Sequence, residues 1–468
     1  MRNKILLVLV LTLGLLTRSY QYRDRASYTH DNDLASWVVK DIVVGKHPRL
    51  IGQLTSSPGI FIGSLFYYLQ IPFYWMANMD PIGGVILVVG IGLLGVASMY
   101  YVAGFVPSLL YAVSFLISNT EREVVPTTPV FLWSIWFFYT FIQLWRGNKK
   151  WLYVAAILIS LIWHFNLALI LGVPLLLLAF LKNIKTYILK DILLPIILCL
   201  ILNIPLVAFE YRHGFTQTKA LLGTLTTVGG TSTYTDRLGK FTQTVQYTLR
   251  NANRLFVDDS VKINQWIIPT IILAGILLYS TWRWLVIGWM ALYIAFFSLH
   301  PLPLSEYYLN GMTIIWILGA GWLLTKFPRV VSAIILSLFL YHSLDRLFSY
   351  QTNHAGYIER KAIVNYIKED AAKFNYPCVA VSYITSPGNN FGYRYWFWWY
   401  GLKTMRPDSL APVYTIVFPH SYVDRMDKTF GSLGLILPDY SRYTRGDIAK
   451  SCEIPDQNLT ESMFGFTK

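Results

Sequence analysis

Residues 29–75 read THDNDLASWVVKDIVVGKHPRLIGQLTSSPGIFIGSLFYYLQIPFYW and lie between a first apolar segment and a series of further ones. The stretch opens with two carboxylates, Asp31 and Asp33, and continues with apolar pairs four residues apart. That spacing predicts a short helix with Asn32 or Asp33 as its N-cap. The aromatic segment 60–76 predicts a second helix, lying at a membrane surface. The stretch therefore places acids where a membrane meets water.

The composition indicates a membrane protein. Of 468 residues, 54% are hydrophobic and only 14% are charged, which is far from the average of soluble domains. The net charge of +14 does not indicate nucleic-acid binding, because the basic residues are concentrated in short loops between apolar runs and no recognition motif accompanies them.

Apolar runs predict about eleven transmembrane helices. Residues 1–18 combine a basic start with an apolar core, and no small-residue cleavage site follows, so we expect a retained first helix rather than a signal peptide. The other predicted spans are 81–102, 104–118, 129–145, 151–166, 167–181, 191–210, 265–281, 284–299, 308–325 and 328–347.

The distribution of basic residues predicts the orientation of these helices. With a cytoplasmic N-terminus, the inner segments carry many basic residues and only Asp191 as a nearby acid. The basic residues are Arg2, Lys4, Arg146, Lys149, Lys150, Lys182, Lys185, Lys190, Arg283, Lys326 and Arg329. The positive-inside rule then places the first loop (19–80), the loop 211–264 and the C-terminal region outside the cytoplasm.

Beyond residue 349 the composition changes. Residues 362–374 predict an amphipathic helix, and residues 378–384 and 413–418 predict strands. We therefore expect a transmembrane domain at 1–349 and a small external α/β domain at 350–468.

Three further patterns have structural interpretations. The GxGxxG pattern at 90–95 lies inside an apolar span, where glycines allow helices to pack closely, rather than after a strand of a dinucleotide-binding fold. Cys378 and Cys452 could pair in an oxidising compartment. The aromatic run 393–400 could pack against the helices, enter the membrane interface or stack on sugars.

Asp31 and Asp33 are the first candidates for chemistry. A carboxylate at this position could act as a general base on an acceptor hydroxyl, or bind a divalent metal ion together with a histidine. The structural alternative is a helix cap and a solvated loop acid. Arg212, His213 and Lys219, where another span ends, could bind a phosphate, although the first two could also be interfacial anchors.

Several other ionisable or aromatic residues are predicted at outer helix ends. Together they predict a polar cavity on that side of the bundle: Arg122, Glu123, His164, His300, Glu306 and Tyr307. Arg250 and Arg254 lie four residues apart on a predicted amphipathic helix, where they could add to the positive field around a phosphate, although a solvated face is the favoured interpretation.

The first-loop sequence DNDLASWVVKDIVVGKHPRLIGQLTSSPGIFIGSLFYYL (31–69) resembles that of bacterial glycosyltransferase family 39 relatives, within the GT-C superfamily. These are similar to protein O-mannosyltransferases and to the aminoarabinose transferase of lipid A. The segment PLVAFEYRHGFTQTK (205–219) also resembles a recurring piece of these proteins, and the layout of residues 1–350 matches theirs.

This resemblance implies a GT-C fold, all-α and polytopic with a long first external loop. It also implies sugar transfer from a polyprenyl-phosphate donor with inversion, at the outer face of the cell membrane. The catalytic acid would be Asp31 or Asp33, and both stay open because the family's adjacent acids are replaced here by Asp-Asn-Asp.

The acceptor would be a lipid, a glycan or a protein. We also expect the protein to contact membrane lipids, and we expect no nucleic-acid partner. Alternatives are a ligase for whole lipid-linked glycans, and a transporter or flippase of lipid-linked sugars. A transporter usually has internal repeats and charges at mid-membrane, and the sequence shows neither.

Overall fold

Apolar runs form helices through most of the chain, because a backbone shielded from water must satisfy its N–H and C=O groups internally. The computed structural model describes residues 2–55, 57–226, 236–258, 264–300 and 304–458. The helices up to residue 349 are α1 (Arg2–Ser19), α2 (His30–Val43), α3 (Leu65–Met76), α4 (Ile82–Ala103), α5 (Phe105–Val113), α6 (Phe115–Thr120), α7 (Val130–Trp145), α8 (Trp151–Phe165), α9 (Val173–Lys182), α10 (Leu189–Leu202), α11 (Ile204–Arg212), α12 (Thr216–Thr226), α13 (Arg237–Phe256), α14 (Ile267–Tyr279), α15 (Arg283–Leu299), α16 (Ile314–Leu324) and α17 (Arg329–Ser349).

The predicted spans coincide with helices, but several of them are broken. Within the described residues, α4 and α17 are each long and apolar enough to cross a membrane. The pair α10–α11, and the 3₁₀ turn Glu306–Met312 with α16, reach that length only together, with bends of 61° and 47°. Pro205 at the start of α11 explains the first bend, since proline cannot continue the hydrogen bonding of α10. The remaining apolar helices are shorter, and the count of about eleven spans stays a prediction.

The first loop departs from its predicted structure in two places. Helix α2 begins at His30 and its N-cap is Thr29, because Asn32 folds back to accept a hydrogen bond from the Thr29 amide at 2.9 Å. The segment predicted as one helix from residue 60 begins instead as a strand. Strands β1 (Ile51–Leu54) and β2 (Phe61–Gly63) form an antiparallel hairpin, and α3 follows it.

The C-terminal part is a small α/β unit, as predicted. Its elements are α18 (Tyr357–Lys373), β3 (Val379–Thr385), α19 (Arg394–Trp399), β4 (Thr404–Met405), β5 (Val413–Phe418), β6 (Lys428–Phe430), β7 (Leu433–Ile436) and α20 (Arg445–Glu453). The sheet has the order β4-β3-β5-β7-β6, and β3 runs parallel to both of its neighbours. A disulfide joins Cys378 to Cys452, while Cys199 is a free thiol.

Helix α19 carries the aromatic run and packs it against the first loop. Tyr395 and Trp396 are fully buried. The Tyr395 hydroxyl donates to the Met79 carbonyl at 2.7 Å, and the Trp399 indole donates to the Asn78 carbonyl at 3.3 Å. Packing is thus the role of Tyr395, Trp396 and Trp399 in this run.

The glycines of the GxGxxG pattern make room for buried polar side chains. A Cβ on Gly92 would lie 2.5 Å from Arg18 Nε and 3.0 Å from a carboxylate oxygen of Glu121, and a Cβ on Gly95 would lie 2.5 Å from the Tyr111 hydroxyl. Arg18 and Glu121 form a buried ion pair at 2.5 Å. Gly92 and Gly95 therefore serve helix packing, as predicted, around an ion pair that the pattern does not reveal, whereas a Cβ on Gly90 would meet nothing within 4 Å.

Candidate functional site

The two first-loop acids have different surroundings. Asp33 is only 3% exposed, and its carboxylate accepts a hydrogen bond from the Tyr395 backbone amide at 3.0 Å. This bond ties α2 to the start of α19, so Asp33 connects the first loop to the C-terminal unit.

Asp31 is half-buried and lies on the side of Glu123. Burial, with a further contribution from the charge of Asp31, raises the pKa of the Glu123 carboxyl above its ordinary value. Glu123 is nevertheless exposed to solvent. Its carboxyl therefore has protein on one side and solvent on the other, as in a recess of the surface. Burial also raises the pKa of the Tyr67 phenol, and Asp31 adds to this effect. The charge of Asp31 thus acts on both Glu123 and Tyr67.

Arg122, the residue just before Glu123, attaches this turn to the end of α1. Arg122 is buried and donates to the carbonyls of Thr17 and Tyr20 at 2.6 and 3.0 Å, at the end of α1. Burial, followed by repulsion from neighbouring arginines, lowers the pKa of Arg122 to about 10. Arg122 is therefore used by the backbone of α1 rather than presented to a cavity.

Sequence reasoning missed the partner of Glu121 in this arrangement. Arg18 donates from Nε to Glu121 at 2.7 Å and from Nη1 to the Ala112 carbonyl at 3.0 Å. The sequence signal for this pair was Arg18 itself, near the end of an otherwise apolar helix. An arginine at such a position usually has a specific partner.

The proposed phosphate ligands lie at the junction of α11 and α12. Arg212 and Lys219 are exposed, and the His213 ring stacks on Phe209 with 4.1 Å between centroids. Glu210 shapes the junction, because its carboxylate accepts from the backbone amide of Thr218 at 2.9 Å.

This junction contacts the first-loop hairpin. The side chain of Gln217 is buried and accepts a hydrogen bond from the Phe61 amide in β2 at 2.8 Å. On the other strand of the hairpin, the Gln53 amide donates to the hydroxyl of Tyr67, whose pKa responds to Asp31. The hairpin therefore contacts the α11–α12 junction through Phe61 and helix α3 through Gln53.

The two predicted cavity histidines lie elsewhere. His164 is buried, accepts from the Leu65 amide at 3.4 Å and lies 3.3 Å from the Leu202 carbonyl, so it links α8 to α3 and α10. His300 packs against Phe296, and burial, followed by the charge of Lys240, lowers its pKa.

Glu306 forms ion pairs with Arg254 and Arg250 at 2.7 and 3.3 Å. The side chains of Arg250 and Arg254 remain 49% and 33% exposed, so these arginines lie on a solvated face and pair with Glu306 there. The nearby Tyr307 packs against Tyr308 with 4.2 Å between ring centroids. These residues form a separate polar group with α13.

A metal site with several protein ligands is not found among the described residues, where no three side chains of His, Cys, Asp or Glu come together suitably. Asp31 and Glu123 are two carboxylates whose charges interact. Mg²⁺ characteristically binds one or two carboxylates together with substrate phosphates and water, so this pair suits that chemistry.

Comparison with solved structures identifies the fold. No protein-family model and no curated protein sequence matches the chain. Two crystal structures of ArnT from Cupriavidus metallidurans, one bound to undecaprenyl phosphate and one in the apo state, match with a TM-score of 0.58 each. They are 9% and 8% identical in sequence, and each alignment covers 94% of this chain and 98% of ArnT. The chain therefore has the GT-C fold, which the first-loop sequence predicted.

Proposed function

We propose that this protein is an inverting glycosyltransferase that moves a sugar from a polyprenyl-phosphate donor to an acceptor hydroxyl. The observation that carries the proposal is the likeness to ArnT bound to undecaprenyl phosphate, because it extends over 94% of the chain. A donor anchored in the membrane explains why a long apolar chain would carry its acids in an external loop.

In this reaction Asp31 is the general base. Its carboxylate is half-buried beside Glu123 and takes the proton from the acceptor hydroxyl as that oxygen attacks the anomeric carbon. Asp33 is a positioning residue, because its hydrogen bond to Tyr395 fixes the orientation of α2.

Arg212 and Lys219, with His213 beside them, bind the donor phosphate and stabilise its charge as it leaves. They are exposed, and the α11–α12 junction that carries them contacts the first-loop hairpin through Gln217. A divalent cation bound at Asp31 and Glu123 would supply further positive charge to the phosphate.

We place the reaction at the outer face of the cell membrane, with the N-terminus in the cytoplasm. The Cys378–Cys452 disulfide supports an external C-terminal unit, because disulfides persist in oxidising compartments.

The test is a transfer assay with purified protein, polyprenyl-phosphate sugars and lipid, glycan or peptide acceptors. Asp31→Asn should lower turnover by roughly 10²- to 10⁴-fold, the usual contribution of a general base. Asp33→Asn keeps an acceptor oxygen for the Tyr395 amide and should lose far less. Asp24→Asn, at an exposed acid just before α2, is the matched control and should resemble the wild type.

Three outcomes separate the alternatives. Wild-type turnover in Asp31→Asn would remove that residue from the reaction. Transfer of a whole lipid-linked glycan in preference to a single sugar would identify a ligase. Movement of lipid-linked sugar across a vesicle membrane without any transfer would identify a transporter or flippase.

A further inference from the structure

A cavity of about 490 Å³ lies between the first loop and the C-terminal unit, apart from the acids described above. Its walls are the turn at residues 77–80, helix α18 and Tyr400, with Arg23 at its edge. Small-molecule sites have volumes of about 300–1,000 Å³, so a saccharide unit or two would fit.

The floor of the cavity is a fixed polar cluster. Asp80 is 8% exposed, accepts a hydrogen bond from the Tyr357 hydroxyl at 2.7 Å and forms an ion pair with Lys361. The Lys361 ammonium also lies 4.8 Å from the centroid of the Trp399 ring. An ammonium has three donors, and Asp80 and Tyr357 engage two of them, which leaves one N–H for a group in the cavity.

One wall is a strained turn held by the C-terminal unit. Asn78 and Met79 both have left-handed backbones, with φ of +52° and +62°, which is uncommon for residues other than glycine. Their carbonyls accept the hydrogen bonds from Trp399 and Tyr395 that dock helix α19. Such strain persists only where the surrounding structure enforces it, and it is typical of ligand sites.

The lining has the chemistry that recognises an acidic sugar. Tyr400 lines the cavity with an aromatic ring, and the Asn78 amide can donate to and accept from hydroxyls. The Asn365 side chain donates to Glu369 at 2.7 Å, and its amide oxygen can accept from a hydroxyl. The charged residues that line the cavity are Arg23, Lys361 and Asp80, so the lining has a net charge of one positive unit. Lys368 and Glu369, next to the cavity on α18, offset each other.

We propose that this cavity binds a saccharide unit that carries an acidic group, and that this unit is a remote part of the acceptor. The binding stands on the cavity alone, whereas its assignment to the acceptor rests on the proposed function. Tyr357 separates the cavity from Asn32, next to Asp31, so the bound unit is not the one that reacts. Binding energy from such a remote unit can orient the reacting hydroxyl.

The test is a binding titration with the full-length protein in nanodiscs of neutral lipid. The probe is digalacturonate, its neutral counterpart is digalactose, and tryptophan fluorescence reports binding next to Trp399. We expect digalacturonate to bind at least tenfold more tightly than digalactose. Arg23→Gln and Asn365→Ala should each weaken it about tenfold, while Arg406→Gln, an exposed arginine outside the cavity, should not.

Unchanged affinity in both cavity variants, equal binding of the two disaccharides, or no binding of either would overturn the proposal. Nanodiscs with a sialylated glycolipid distinguish the source of the saccharide. If the glycolipid competes with digalacturonate, the natural ligand is membrane-anchored. If it does not compete, the natural ligand is soluble. Asp31→Asn should bind digalacturonate as the wild type does, because Asp31 does not line the cavity. Wild-type protein that binds digalacturonate and transfers no sugar from any polyprenyl-phosphate donor would contradict the proposed function but not this site.

Discussion

Asp31 and Asp33 are two residues apart and still face different surroundings. Successive residues of a helix turn by 100°, so positions i and i+2 point to nearly opposite sides. Asp33 faces the C-terminal unit and its carboxylate binds the Tyr395 amide, whereas Asp31 faces Glu123. The sequence leaves both acids open as the base, and their separate surroundings favour Asp31.

The carboxyl of Glu123 gives a prediction on the pH dependence of stability. Because burial and Asp31 raise its pKa in the fold, the folded protein binds more protons than the unfolded chain above the ordinary pKa of about 4.3. The stability that the protonated Glu123 carboxyl contributes at low pH is then lost as the pH rises through the pKa of this carboxyl in the folded protein. Glu123→Gln should therefore gain stability relative to wild type as the pH rises from 4 towards neutrality, measured by thermal unfolding in detergent. A difference that does not vary with pH would contradict this.

At the scale of elements, helix α4 offers a matched pair of substitutions. Gly92→Ala would place a methyl group 2.5 Å from Arg18 Nε, and overpacking of this kind typically costs about 1–3 kcal/mol. A methyl group on Gly90 would meet nothing within 4 Å, so Gly90→Ala should be neutral or gain up to about 1 kcal/mol from helix propensity. Melting temperatures of the two variants measure the difference. Equal melting temperatures would show that the Arg18–Glu121 pair moves aside at little cost.

The positions of helices and strands followed from hydrophobic patterns to within a few residues. The patterns did not predict where helices break, or that a segment forms a strand instead of a helix, because both depend on contacts with distant residues. Gly63 ends β2 where a Cβ would lie 2.0 Å from the ring of His164, and no periodicity in 60–76 reveals that neighbour. Likewise, the pairing of Arg18 with Glu121 joins residues 103 positions apart.

At the scale of the whole molecule, the disulfide makes the topology testable. Cys378 and Cys452 are bonded and Cys199 is free, so denatured, unreduced protein from the cell membrane should take up one maleimide per chain. After reduction it should take up three. Uptake of three without reduction would place the C-terminal unit in a reducing compartment and contradict the predicted orientation.

The fold class was predictable because transmembrane composition and the first-loop acids are local features of the sequence. The candidate site was predictable only in part. The sequence named both Asp31 and Glu123 as candidates, but their interaction depends on the packing of α2 near the turn after α6. The contribution of the C-terminal unit, through Tyr395 and the cavity at Asp80, has no signal in local patterns, because it joins opposite ends of the chain.

The hydrogen bond between Asp33 and the Tyr395 amide spans 362 residues, and this sets an order of events during synthesis. A ribosome adds about 5–20 residues per second, so the first loop emerges on the order of tens of seconds before the backbone that fixes it. During that interval α2 lacks its anchor, and the acids are not yet held in their final arrangement. The hydrogen bond that fixes α2 can therefore form only after the C-terminal unit has been translated at least as far as Tyr395.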